Sequence, residues 1–332
     1  MESTIFSVFG LPVTAYALCL VISLGAGLLC FFLDGRKKGI SADALWRTAL
    51  LSLPLGLIGA RLFHFMGNFY YYEEMGFDAL MKLWNGGFAL WGAVAGTALA
   101  ALIAGKWSRV SVASLLDALA APAALAIGLA RFAEYFSGEG IGPYVESEFF
   151  CRFPFAVYRP DYEVWNWAVF MLEGAVALVI AVILKRKKRP AGDTARLFLL
   201  LYSACQITLE SLRRDHCLRW LFVRVSQLTA LVVILGLMTA AVLCWLKGGR
   251  KQSALRVWLP WLIVALCAGA VVAIEFSFDG KILRDLPVWA GYLIMTCCSC
   301  GIGWAAHGLV FQGAGKPDDM KQEKNNEQHR GH

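Results

Sequence analysis

Arg131 and Glu134 lie three residues apart near the end of the apolar run LLDALAAPAALAIGLARFAEYF, and Glu139 follows in a turn punctuated by Gly138, Gly140, Gly142 and Pro143. A guanidinium near hydrocarbon costs roughly 2.5–3.5 kcal/mol on insertion scales, so it faces a partner, a cavity or a ligand. The ligand that suits an arginine beside a glycine-rich turn at a bilayer edge is an anion, and the nearest anion there is a phospholipid phosphate. The chemistry to look for is therefore phosphate binding.

Three other clusters interrupt apolar segments. Arg61 and His64 share one helical face, and Asn85-Gly86-Gly87 leads into Trp91-Gly92, where small residues allow close helix approach. Tyr202, Gln206, Glu210 and Arg213, spaced four, four and three, form one polar stripe on an otherwise apolar helix. Any single Arg–Glu pair is explained by helix packing alone. Several gathered toward the same half of a membrane point to a site.

These groups need membrane helices to hold them. The 332-residue chain is 58% hydrophobic and 17% charged, too apolar for a soluble domain, and its apolar runs recur along the whole length. The alternating strands of an outer-membrane barrel are missing from the pattern. The expected fold is all-α, a polytopic transmembrane bundle. Nine spans are predicted: Leu11–Leu33, Leu45–Phe65, Phe88–Gly105, Val112–Phe136, Val164–Leu184, Ala195–Leu212, Val225–Leu246, Val257–Phe276 and Val288–Phe311. The first lacks a basic n-region and reads as a permanent span rather than a cleaved signal.

The net charge of +7 reads as topology and attraction to anionic lipid, not as nucleic-acid binding. Basic loops after spans one, three, five and seven, KRKKR at 185–189 foremost, place those loops and the C-terminus in the cytoplasm and the N-terminus outside. The aromatic loop at 68–87 and the loop 137–163 then face outward, and segment 70–83 reads as a short helix on the membrane surface. Between spans six and seven Arg213, Arg214, Arg219 and Arg224 break the charge rule. They read either as a tolerated exception or as a cationic rim that attracts anionic head groups.

Most cysteines lie in apolar runs, where they act as small hydrophobes. The cluster Cys297 to Cys300 has no neighbouring His or carboxylate and reads as helix packing rather than metal binding. Cys151 and Cys217 fall in loops on the same outer side, where a disulfide is possible. Residues 247–311 read as an appended pair of spans, and 312–332 as a polar, disordered tail.

At the polar clusters the chain resembles the prolipoprotein diacylglyceryl transferases of the bacterial cytoplasmic membrane. The resemblance runs over about residues 10–246 and rests on GARLFHF (59–65), NGGFALWGAVAG (85–96), Asp117 through ARFAEYFSGEGIG to Gly142, and LLLYSACQITLESLR (199–213). It implies a seven-span core within 1–246. It also implies transfer of diacylglyceryl from phosphatidylglycerol, or a similar anionic phospholipid, to the cysteine thiol of a lipobox-containing precursor. No metal or organic cofactor is implied. Positions matching the family's important residues are Tyr16, Gly86, Gly92, Arg131, Glu139, Gly142, Tyr202 and Glu210. The resemblance makes Arg131 the phosphate ligand, with Glu139 and Glu210 orienting it or accepting charge. Arg61 and Arg213 join the lipid-binding set as candidates.

Three positions depart from the family pattern. Its histidine falls at Trp91, its second arginine at Gln206, and the asparagine after the fourth-span arginine at Glu134. The tyrosine-glutamate pair expected early in span five is missing as well. His64 or His216 is the candidate replacement for the histidine, and Arg61, Arg213 or Arg214 for the arginine. The departures keep open a repurposed or inactive paralogue that binds an anionic phospholipid or a peptide partner. A small-solute transporter is less favoured, since no inverted repeat with broken helices is evident.

Overall fold

The computed structural model describes residues 4–8, 11–82, 86–160, 162–214, 218–220, 223–247, 253–278, 280 and 286–311. Among the described residues ten α-helices dominate, and seven of them are long and apolar enough to cross a membrane. The chain is a multi-pass membrane protein. It divides into two compact units, Met1–Val233 and Ile234–His332, so the second unit contains the appended region 247–311 and begins inside the helix that precedes it.

In the first unit, a hairpin of β1 (Thr4–Val8) and β2 (Leu11–Thr14) precedes α1 (Ala15–Lys37). The first span thus starts at Ala15, where the Thr14 hydroxyl accepts the Ala17 N–H at 3.2 Å and caps the helix. Next come α2 (Ala42–Gly67), the short α3 (Phe69–Met75) and a 3-10 turn (Phe77–Met81), which match the expected surface helix in position. α4 (Leu90–Trp107) packs on α2 through glycine: a Cβ on Gly59 or on Gly92 would collide with the other's backbone. Such close approach is how membrane helices associate when water supplies no driving force.

α5 (Val112–Ser137) packs against α1, α4, α6 and α7 and is the hub of this unit. It ends at Gly138, whose left-handed φ of 74° suits glycine. The predicted start of span five is displaced, because Val164–Trp167 forms strand β4, paired with β3 (Ala156–Arg159), and α6 begins only at Val169. VWNW is β-branched and aromatic, and it packs better on a hairpin partner than in a helix. α6 (Val169–Arg186) and α7 (Asp193–Leu212) occupy the positions of spans five and six and carry most of the buried acidic groups.

Asp117 of α5 ties these helices together at one end. Its carboxylate accepts the N–H groups of Gly192 (2.7 Å) and Ala195 (2.8 Å), satisfying orphan donors at the start of α7. Its backbone carbonyl accepts Lys38 Nζ at 2.8 Å. Burial pushes the Lys38 ammonium down from its ordinary range, against the opposing pull of Asp117 and Asp34. A two-residue pair, β5 (Arg219–Trp220) with β6 (Val223–Arg224), precedes α8 (Val225–Lys247).

In the second unit α9 (Ala254–Phe278) and α10 (Val288–Phe311) pack together. Gly291 meets Phe278 and Gly301 meets Cys267, which sets an antiparallel register. Cys297, Cys298 and Cys300 are free thiols within α10. Cys151 is also free, while Cys217 and the tail 312–332 lie outside the described residues.

Candidate functional site

The polar residues of α5, α6 and α7 converge on one buried ionic network. Arg131 reaches forward along α5 to Glu134 Oε1 in an ion pair and across to α6, where its Nε lies 3.1 Å from Glu173 Oε2. Arg213, just past the end of α7, approaches the same carboxylates from the other side, with Nη1 3.3 Å from Glu173 Oε2 and 3.6 Å from Glu134 Oε2. Two arginines and two carboxylates therefore alternate around a centre from which water is largely excluded. The Arg131 side chain is 14% exposed and that of Glu173 only 3%.

Helical spacing explains the convergence. Three residues separate Arg131 from Glu134, so both project from one face of α5. The glycine-rich turn closes over them: Gly140 takes φ +68° with the Glu134 carboxylate and Phe170 against it, so a side chain there would be strained and would collide. The turn is fixed by its backbone. The Phe170 N–H donates to the Gly140 carbonyl and the Arg214 N–H to the Ile141 carbonyl, each at 2.8 Å, and Asn166 Nδ2 donates to the Gly142 carbonyl at 2.8 Å.

The stripe on α7 lines the network. The Tyr202 phenol lies close to the Arg131 guanidinium, and Tyr202 packs edge-on against Trp91, with ring centroids 5.8 Å apart. Gln206 donates to Glu210 Oε2 at 2.9 Å. Trp91 thus fills its position with packing, and Gln206 supplies a neutral donor where the family pattern has a cation. Arg224 is buried and donates to the carbonyls of Glu210 (2.6 Å) and Arg213 (3.0 Å). The cationic-rim reading therefore fails for Arg213 and Arg224, which face inward; only Arg214 is exposed, and the Arg219 side chain lies outside the described ones.

Two buried carboxylate oxygens, Glu134 Oε2 and Glu173 Oε1, accept no hydrogen bond among the described residues. In a low-dielectric site such atoms are costly. Glu173 escaped the sequence reading. The signal was there, a lone carboxylate in the apolar run FMLEGAV, which is a functional hypothesis by default inside a membrane.

The remaining expected residues are placed elsewhere. Glu139 is exposed in the turn after α5, and Tyr16 is half-buried in the first turn of α1. Gly92 is consumed in the α2–α4 contact and Gly142 in the turn. Arg61 is buried and fully occupied. It donates to the carbonyls of Leu80 (3.0 Å), Ala79 (2.6 Å), Lys82 (3.2 Å), Gly87 (2.9 Å) and Gly86, and lies over the Tyr72 and Phe88 rings. His64 Nδ1 is 2.8 Å from the Tyr72 hydroxyl. Arg61 and His64 therefore organise the arm formed by residues 68–82 and 86–88, and His216 lies outside the described residues. No group of three or more metal-ligating side chains is found among the described residues.

Residues 3–245 match the family described as prolipoprotein diacylglyceryl transferase. The chain belongs to the prolipoprotein diacylglyceryl transferase family. Similar curated proteins carry the name phosphatidylglycerol--prolipoprotein diacylglyceryl transferase. One from Clostridium kluyveri is 29% identical, the match covering 76% of this chain and 99% of the relative. One from Frankia alni is 30% identical over 69% of this chain and 62% of the relative. One from Clostridium perfringens, whose name ends in the numeral 1, is 26% identical over 77% of this chain and all of the relative. The family match ends within α8, so α9 and α10 lie beyond it.

Proposed function

We propose that this chain is a diacylglyceryl transferase of a bacterial cytoplasmic membrane, with its N-terminus outside, acting on phosphatidylglycerol and a lipobox-bearing precursor. The observation that carries the reading is the pair of buried arginines, Arg131 and Arg213, facing each other across Glu134 and Glu173 in a chain that belongs to the transferase family.

The reaction sets what the site must do. The precursor's cysteine sulfur attacks the diacylglyceryl carbon bonded to phosphate. A C–S thioether bond forms and the C–O bond breaks. Glycerol phosphate leaves with one more negative charge than the diester had, and the thiol proton passes to a base. Cations aimed at the leaving phosphate lower the barrier because charge grows there in the transition state. We assign the proton to Glu139, a carboxylate exposed in the turn beside Gly140.

The network is electrically balanced before substrate arrives: two guanidinium groups offset two carboxylates. A phosphodiester must therefore exchange for a carboxylate on Arg131. Glu134 is the one to move, because its contact with Arg213, at 3.6 Å, is longer than the 3.3 Å contact that Glu173 makes with the same guanidinium.

The same balance favours a second reading, a paralogue that binds an anionic phospholipid or a peptide without chemistry. Trp91 and Gln206 add to it, since each replaces a polar or cationic group of the family pattern. Reconstitution separates the two. The full chain in vesicles of phosphatidylglycerol, given a synthetic lipobox peptide, is expected to yield a thioether-linked diacylglyceryl peptide and stoichiometric glycerol phosphate. Lipid binding with neither product would leave the binding paralogue as the reading.

A further inference from the structure

The second unit holds a cleft of about 450 Å³ between the start of α9 and the end of α10. Its chemistry is graded along the helices. Arg256 and His307 sit at the outer rung, and the His307 ring lies against Phe311 with centroids 4.8 Å apart. Leu259 and Ile263 continue along α9, the second about 10 Å deeper than Arg256 at 1.5 Å per residue. Trp304, exposed, flanks the same depth from α10. No carboxylate is found among the described residues lining the cleft. Pro260 has no N–H, so the Arg256 carbonyl one turn earlier lacks its usual helical donor and adds an acceptor at the rim.

We propose that this cleft is a phospholipid site, separate from the transferase centre, that holds an anionic lipid of the cytoplasmic leaflet by its phosphate on Arg256 and His307 and by an acyl chain along Leu259 and Ile263. The leaflet follows from the orientation proposed above, which puts the start of α9 and the end of α10 in the cytoplasm. A cationic rim over an apolar floor matches the order of groups in a phospholipid. Free phosphate has no use for the floor, and a neutral lipid has none for the guanidinium. Arginine in such a position takes two phosphate oxygens at once, and the imidazole adds a further donor. The site lies outside the family match, so it is a property of this chain's two additional helices.

Native mass spectrometry of the full chain, released from detergent after incubation with dioleoyl phosphatidylglycerol, tests it. Wild type is expected to retain one more lipid than the Arg256→Gln/His307→Gln variant. Arg256→Gln alone is expected to lower that occupancy about fivefold, as the loss of one interfacial cation implies. Arg256→Lys is expected to keep it. Leu259→Trp, which fills the floor without touching a charge, is expected to lose it. Arg131→Gln is expected to leave this occupancy unchanged, and Arg256→Gln to leave diacylglyceryl transfer unchanged, so failure here is distinct from failure of the transferase reading. Equal lipid retention by wild type and the double variant overturns the proposal, as does equal retention of phosphatidylcholine or displacement of the lipid by millimolar inorganic phosphate.

Discussion

Arg61 and Arg131 begin alike in the sequence: each follows small residues near the end of an apolar helix. Their surroundings make them opposites. Five backbone carbonyls of the arm take up the Arg61 guanidinium, whereas Arg131 is held by two side-chain carboxylates. Carbonyls in a folded arm cannot swing away, so a phosphate has nothing to displace at Arg61. A carboxylate on a single rotatable side chain can leave, and its departure uncovers a cation. What makes a buried arginine available for binding is thus the mobility of its acceptors rather than its own position.

That contrast is broken most severely at Arg131. Arg131→Gln is expected to lower diacylglyceryl transfer by ~10²–10³-fold, the usual loss when one preorganised donor to a developing oxyanion is removed, with Arg131→Lys recovering part of it. An unaffected rate in purified protein would show that the phosphate is held elsewhere.

Arg61→Gln is expected to act on stability instead. Losing a charged donor shared among several buried carbonyls costs ~2–3 kcal/mol, read as a lower thermal midpoint and faster proteolytic cleavage of the 68–88 arm. The fraction that stays folded should keep its KM for phosphatidylglycerol. A raised KM with unchanged stability would move Arg61 into the lipid site.

Glu134→Gln sharpens the comparison from the other side. It removes the carboxylate that competes with the phosphate and leaves the network with a net positive charge. KM for phosphatidylglycerol is expected to fall ~5–10-fold, about 1–1.4 kcal/mol of ground-state binding. A rise in KM would mean that Glu134 supports the ligand rather than opposing it. Smallest is Asp117→Asn, remote from both arginines, which weakens two caps on α7 and is expected to cost ~1 kcal/mol of stability with transfer kinetics unchanged.

Much of this was legible in the chain. Helix existence followed from apolar runs, and the face shared by Arg131 and Glu134 and the stripe from Tyr202 to Arg213 followed from 3.6-residue periodicity. Three things did not follow. Val164–Trp167 is apolar enough to read as helix, and only its hairpin partner at Ala156–Arg159 makes it a strand. Glu173 was hidden inside a run read as plain span. The inward turn of Arg213 and Arg224 depends on carbonyls and carboxylates far away in sequence, so local charge suggested a rim where the fold builds a core. Spacing along one helix is local information, whereas the meeting of α5, α6 and α7 is set by packing.

The most direct measurement places this chain in a bacterium depleted of its own transferase, together with a reporter lipoprotein whose intact mass is then determined. A cysteine bearing a diacylglyceryl group with the wild-type chain, and an unmodified cysteine with well-expressed Arg131→Gln, is the expected result. An unmodified reporter in the presence of abundant, correctly inserted wild-type chain would contradict phosphate exchange at Arg131 as the chemistry of this site.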